Sequence, residues 1–285
     1  MKKTDFIIYN GEKHIITEKI FSINNRAFRF GDGFFESIFS YYDNIPFWGI
    51  HYLRIINAIK DYGFKKPNIF SQQYFLNEME RLRNANKFHG AIYTRISFFR
   101  EGMGRYYPTE DADISYVIEQ TFLGQSKFKI NEEGLIIGDF AEYKKPINKW
   151  SRYKKLSADL FVFASIYAHN NNYDDVLIFN EKGNIVETTN SNIFCVGKDD
   201  IIYTPSVASG CVDGVMRKVV IEIFRNNGVE LKEVDDFNES YINNADELFV
   251  TNAVKGVRWV AAYKNKRFLR DTTEFLINRI NEIYF

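Results

Sequence analysis

The chain has 285 residues, long for one core, and its hydrophobic content of 45% is ordinary for a soluble globular protein of two domains. Its 37 Lys and Arg are matched by 37 Asp and Glu, so net charge leaves no footprint for nucleic acid or an anionic membrane. No apolar run approaches the roughly 18 residues of a membrane span, and the two cysteines, Cys195 and Cys211, fit neither a disulfide framework nor a zinc site, which points to the cytoplasm.

The N-terminus lacks the apolar stretch of a signal peptide and reads as a strand. Residues 6–9 and 14–16 flank Asn10-Gly11, a hairpin signal because both turn residues tolerate positive φ. Gly31-Asp32-Gly33 is a flexible turn feeding a strand over 34–42. Residues 49–62 read as a helix with Leu53, Ile56, Ala58 and Ile59 on one side. On it His51 and Arg54 lie three apart and share a face. Such a pair is usually solvated, but a guanidinium also matches phosphate oxygens with two hydrogen bonds. A helix follows over 72–86 and a strand over 91–99. Residues 100–108 hold two glycines, two arginines and two tyrosines, a mobile hairpin or a loop that closes on an anionic substrate. A strand over 114–120 ends an N-terminal domain, 1–120, and 121–127 is the link to a second domain, 128–285.

That domain opens with a strand over 134–139 and a loop over 143–149. Lys154 and Lys155 stand before a helix over 156–170. A buried strand over 175–179, a turn and a strand over 185–187 bring Glu187 to a strand end, before a small polar loop. Strands over 192–196 and 201–205 come next. Gly214 then precedes a helix lined by Val219, Val220, Ile223 and Phe224, with Gly228 past its end. A glycine at that position exposes backbone N–H groups and makes an anion site, although most such helices bind nothing. A strand over 246–253 ends in small polar residues, and 271–285 is amphipathic.

In this order the pieces resemble the fold type IV pyridoxal-phosphate enzymes: branched-chain aminotransferases, D-amino acid aminotransferases and aminodeoxychorismate lyases. Phe-Gly-Asp-Gly-Phe-Phe-Glu at 30–36 is similar to that family's N-terminal signature. His51-Tyr52-Leu53-Arg54 resembles its His-x-x-Arg, and Lys154-Lys155-Leu156-Ser157 its Lys-x-Leu-Asn. Gly214-Val215-Met216-Arg217 resembles its Gly-Ile-x-Arg turn, and Thr251-Asn252-Ala253 falls where the family closes the phosphate.

The resemblance implies an α/β (α+β) fold of two domains, D-amino acid aminotransferase-like, with pyridoxal 5'-phosphate in the cleft and a homodimer as the assembly. It implies that Lys154 forms an imine with the cofactor, with Lys155 open as the alternative. It implies that Glu187 faces the pyridine nitrogen, and that Arg54 with the N–H groups of Val215 and Met216 holds the phosphate, closed by Asn252 and Ala253. Phe28, Glu36 and Arg105 are its substrate candidates. Ser157 departs from the family's asparagine, and Asp159 stands where branched-chain enzymes carry a tyrosine. The activity implied first is transfer of an amino group between a branched-chain-like amino acid and a 2-oxo acid. Release of pyruvate and 4-aminobenzoate from 4-amino-4-deoxychorismate is the alternative, and a non-catalytic cofactor-binding homologue the third reading.

Overall fold

A computed structural model describes residues 5–109, 113–124 and 126–285. Residues 1–4 of the expected N-terminal strand, and Gln125 of the expected link, lie outside the described residues.

The chain divides into two compact units, the first formed by Met1–Lys127 with Tyr153–Ala158, the second by Phe128–Arg152 with Asp159–Phe285. In the first, β1 (Phe6–Tyr9) and β2 (Glu12–Ile15) form a hairpin. Its turn residues Asn10 and Gly11 have φ of 48° and 85°, the pair of positive values a tight primed turn requires. The short helix α1 (Arg26–Phe30) precedes β3 (Gly33–Tyr41). Helices α2 (Trp48–Asp61) and α3 (Gln72–Ala85) lead to β4 (Ala91–Arg100) and β5 (Ile114–Gly124). The sheet order is β2-β1-β5-β4-β3, antiparallel throughout. Ile38, Ile55, Phe75, Phe98 and Ile118 form the centre of its core. Helix α3 buries Phe75, Met79 and Leu82 there, and α2 buries Ile55, Ala58 and Ile59 together with His51 and Arg54; Leu53, expected on the apolar side of α2, is exposed instead.

The second unit contains β6 (Leu135–Lys145), α4 (Asp159–Asn170), β7 (Asp175–Asn180), β8 (Ile185–Thr188), β9 (Asn192–Gly197) and β10 (Ile202–Pro205). Then come α5 (Val215–Asn226), β11 (Leu231–Val234), α6 (Glu239–Asn243), β12 (Ala245–Asn252), β13 (Gly256–Tyr263), β14 (Lys266–Arg267) and α7 (Asp271–Tyr284). The strand order is β11-β10-β9-β12-β13-β6-β7-β8, with β14 on β13. The sheet is mixed: β6 runs parallel to both β7 and β13, and β10 parallel to β11. Among the described residues no helix is long and apolar enough to cross a membrane.

Four expectations need correction. Residues 121–124, read as a link, are the end of β5, where Phe122 pairs with Ile92. Residues 143–145, read as loop, belong to β6, and Lys145 pairs in register with Asn180. The helix expected from 156 begins at Asp159. Finally, Lys154 packs with the first unit rather than with the domain 128–285. Residues 154–156 lie along β3: Phe35 N–H donates to the Lys154 carbonyl at 2.8 Å and Leu156 N–H to the Gly33 carbonyl at 3.0 Å. Strand pairing decides membership there, against chain order.

Candidate functional site

The signature at 30–36 makes physical sense once that lysine segment is seen lying on it. Gly31 has φ +61°, and a Cβ there would meet Ser157 Cβ at 2.8 Å. A Cβ on Gly33 would meet the Phe98 carbonyl oxygen at 2.2 Å and Leu156 Cδ1 at 2.7 Å. Both glycines therefore allow the close approach that seats Lys154 beside β3. The Lys154 ammonium stands 5.5 Å from the centre of the Phe35 ring. Tyr153 anchors the segment from behind, buried in the core and donating to Asp61 Oδ2 at 2.6 Å.

Glu36, His51 and Arg54 form one buried cluster. Arg54 Nε donates to Glu36 Oε1 at 2.6 Å and Arg54 Nη2 to Oε2 at 2.7 Å, the two-pronged geometry that suits guanidinium and carboxylate. His51 Nδ1 lies 2.8 Å from the same Oε2. Burial pushes the Glu36 carboxyl up, but the Arg54 charge and the His51 hydrogen bond override it and hold it at about 2. Burial is also the largest influence on His51 and lowers it, against the upward pull of Glu36. A neutral ring facing an ionised carboxylate carries its proton on Nδ1. Glu36, expected to touch substrate, is thus inside the unit, 2% exposed, with both oxygens engaged.

The other two substrate candidates are at the surface. Phe28 is exposed on α1, and Arg105 is exposed in the loop after β4. Arg26 holds that loop by its backbone, donating to the Arg105 carbonyl at 2.7 Å and the Tyr106 carbonyl at 3.1 Å. Arg26 is itself fixed by Asp32 Oδ2 at 2.8 Å, a residue of the glycine turn.

In the second unit Glu187 lies at the end of β8, 3% exposed. Its Oε2 accepts from Val212 N–H at 2.8 Å, and its Oε1 accepts from Lys145 Nζ. The Val212 carbonyl accepts from Asn192 Nδ2 at 2.8 Å, so the Val212 backbone before α5 is held at both its N–H and its carbonyl. Two residues on, Gly214 caps α5 with extended backbone and no side-chain hydrogen bond. A Cβ at Gly214 would lie 2.0 Å from Asn192 Oδ1. Val215 and Met216 bury their side chains, so what α5 offers at its start is backbone N–H and the positive end of its dipole.

Asn192 pairs across the sheet with Thr251, so the two side chains share a face. Thr251 Oγ1 is buried with no hydrogen-bond partner, and such an orphan is costly unless something outside the chain meets it. Asn252 donates to the Asn190 carbonyl at 2.5 Å and accepts from Val254 N–H at 2.8 Å, which fixes the turn through half-buried Ala253. A phosphorylated pyridine fits this donor set: an uncapped helix start and an unpaired hydroxyl for the phosphate, a strand-end carboxylate for the ring nitrogen. Reading the sequence missed two participants. The Val212 N–H is a backbone group and leaves no residue-type signal. Lys145 was read as part of a loop, because a bulge between Phe140 and Lys145 breaks the strand alternation that would have placed it inward.

A family model described as amino-transferase class IV matches residues 33–263. The D-alanine aminotransferase of Staphylococcus aureus (strain N315) is 25% identical over 252 residues, covering 86% of this chain and 84% of that protein. The aminodeoxychorismate lyase of Vibrio harveyi is 24% identical over 237 residues, 82% of this chain and 84% of that protein. A probable branched-chain-amino-acid aminotransferase of Rickettsia bellii is 48% identical, but over 61 residues, 21% of this chain and 20% of that protein. Among solved structures, the branched-chain aminotransferase of Thermoproteus uzoniensis with norvaline superposes with a TM-score of 0.85 at 19% identity, covering 98% of this chain and 94% of its own. The branched-chain amino acid aminotransferase of Thermobaculum terrenum in its PLP form gives 0.84 at 20% identity, covering 100% and 95%.

Proposed function

The chain belongs to the class IV amino-transferase family, and on that footing we propose that it is a pyridoxal-phosphate-dependent aminotransferase acting on a branched-chain-like amino acid and a 2-oxo acid. The observation that carries this reading is the path from Glu187 through the Val212 backbone to the uncapped start of α5. One short segment thereby fixes a carboxylate and an anion site relative to each other, as a phosphorylated pyridine needs.

Bound there, pyridoxal phosphate supplies the electron sink for breaking the bonds of an amino acid's α-carbon. Lys154 would hold it covalently, and its amine would serve as the base at the substrate Cα. Glu187 keeps the ring nitrogen protonated. The N–H groups of Val215 and Met216, with Thr251, Asn252 and Ala253, hold the phosphate. Arg54 also grips it, with its guanidinium plane set by Glu36. Glu36 and His51 are supports of that arginine. Arg105 and Phe28, exposed in their own unit, are left for the substrate side.

The protein acts as a homodimer. Helix α4 leaves Val162, Phe163 and Ile166 about half exposed, an apolar strip that a second copy would cover. Cys195 and Cys211 are buried free thiols, and a chain whose two cysteines are not joined fits a reducing, cytoplasmic compartment.

The relative from Vibrio harveyi favours one second reading, 4-amino-4-deoxychorismate lyase. A substrate panel separates the two. Branched-chain L-amino acids, D-alanine and aminodeoxychorismate are offered to the loaded protein, with and without an amino acceptor. Transamination needs the acceptor and yields the matching oxo acid. Pyruvate from aminodeoxychorismate without an acceptor would establish the lyase instead.

A further inference from the structure

Glu187 shares its carboxylate with a lysine. Lys145, the last residue of β6, reaches past β7 so that its Nζ donates to Glu187 Oε1. Both side chains are 4% exposed. The Phe161 ring centre is 5.6 Å from that ammonium, so the cation is walled by an aromatic face as well as by its carboxylate. Stability is a weak reason for such a pair, because desolvating two charges offsets most of their attraction. What the pair does change is the orientation of Glu187 and the field it presents.

We propose that Lys145 is a positioning residue: together with the Val212 N–H it fixes the Glu187 carboxylate, and as its counter-ion it sets how firmly a ring nitrogen opposite Glu187 holds a proton. The inference rests on the reading of Glu187 as the ring-nitrogen partner. Glu187 alone would draw a proton strongly onto that nitrogen. A cation hydrogen-bonded to the same carboxylate opposes that pull, so the nitrogen titrates lower than it would beside a lone carboxylate. No covalent step is involved. The effect is electrostatic, and Val212 keeps the carboxylate in place while it acts.

The test uses the holoprotein reconstituted with pyridoxal phosphate carrying ¹⁵N in its ring. The ¹⁵N chemical shift is followed against pH for wild type, Lys145→Gln and Lys145→Arg. Gln keeps an N–H donor for Glu187 but removes the charge, and the ring nitrogen should then hold its proton about tenfold more tightly. Arg should restore the wild-type midpoint. A role confined to packing would alter folding without moving this midpoint.

A wild-type protein that takes up no pyridoxal phosphate defeats the reading beneath the inference. A wild type that takes it up, with a Gln variant titrating at the same midpoint, defeats the inference alone. A second measurement needs no cofactor. In urea unfolding of the apoprotein, Lys145→Gln and Glu187→Gln should each lose more than the double variant, since each single change strands one buried charge. Losses that simply add would overturn the pairing, as would a double variant that fails to fold.

Discussion

At the scale of the residue, Glu36 and His51 couple the Arg54 site to pH. Their ordinary values are 4.5 and 6.5, and the fold depresses both, Glu36 to about 2. A depressed group stabilises the fold above its unfolded value and loses that contribution as pH falls through its folded one. The neutral His51 contribution therefore declines first, below 6.5, and that of Glu36 declines below 4.5. Wild-type protein should lose urea resistance between about pH 7.5 and 5.5, and His51→Gln should lose less over the same interval because glutamine does not titrate. Equal slopes for the two proteins would contradict this account of His51. The sequence placed His51 and Arg54 on one helix face, since that follows from spacing alone. It did not show that Glu36 joins them, because the partner lies on β3 and is brought there by tertiary packing. Lys145 escaped for a related reason: its partner is on a strand two positions away in the sheet.

At the scale of the element, β3 is the platform on which the lysine segment rests, and Gly33 is where the two touch. Gly33→Ala would drive a Cβ to 2.2 Å from the Phe98 carbonyl oxygen and 2.7 Å from Leu156. Backbone cannot yield there as a flexible side chain would. The variant should lose about 1–3 kcal/mol of unfolding free energy and displace residues 154–156. Gly49 on α2 is the control, since a Cβ there meets nothing within 4 Å. Gly49→Ala should raise stability by about 0.4–1 kcal/mol. Denaturant midpoints for the two variants decide it, and a Gly33→Ala protein as stable as wild type would refute the close approach. Elements with a strong local signal were legible in the sequence: the Asn10-Gly11 hairpin, the amphipathic helices α2 and α5, and the buried strand β7. The start of α4 was not. Leu156 follows the lysine pair in a helix-compatible pattern, but residues 154–156 make their backbone pairing with β3 instead. The strands β11, β13 and β14 and the helix α6 were not read at all. They are short or lie between clearer segments, and sheet pairing rather than local pattern fixes the three strands.

At the scale of the whole molecule, the apolar strip of α4 predicts the assembly. Wild type should behave as a dimer in light scattering, and Phe163→Lys, which puts a charge on the strip, should shift it toward monomer. A wild type that is monomeric at tens of micromolar, a concentration at which about 1 μM affinity would hold a dimer, would contradict the homodimer. The two-unit organisation was legible from length, and the family from five short motifs and Glu187 in order, none of which is specific alone. What the sequence could not provide was the company each motif residue keeps: Glu36 with Arg54, Glu187 with Lys145 and Val212. The central claim is that this chain carries pyridoxal phosphate on Lys154. Incubation with the cofactor, borohydride reduction and peptide mapping test it most directly. The account predicts one labelled peptide with the pyridoxyl group on Lys154. Label on Lys155 or Lys145 instead, or no label at all, would contradict it.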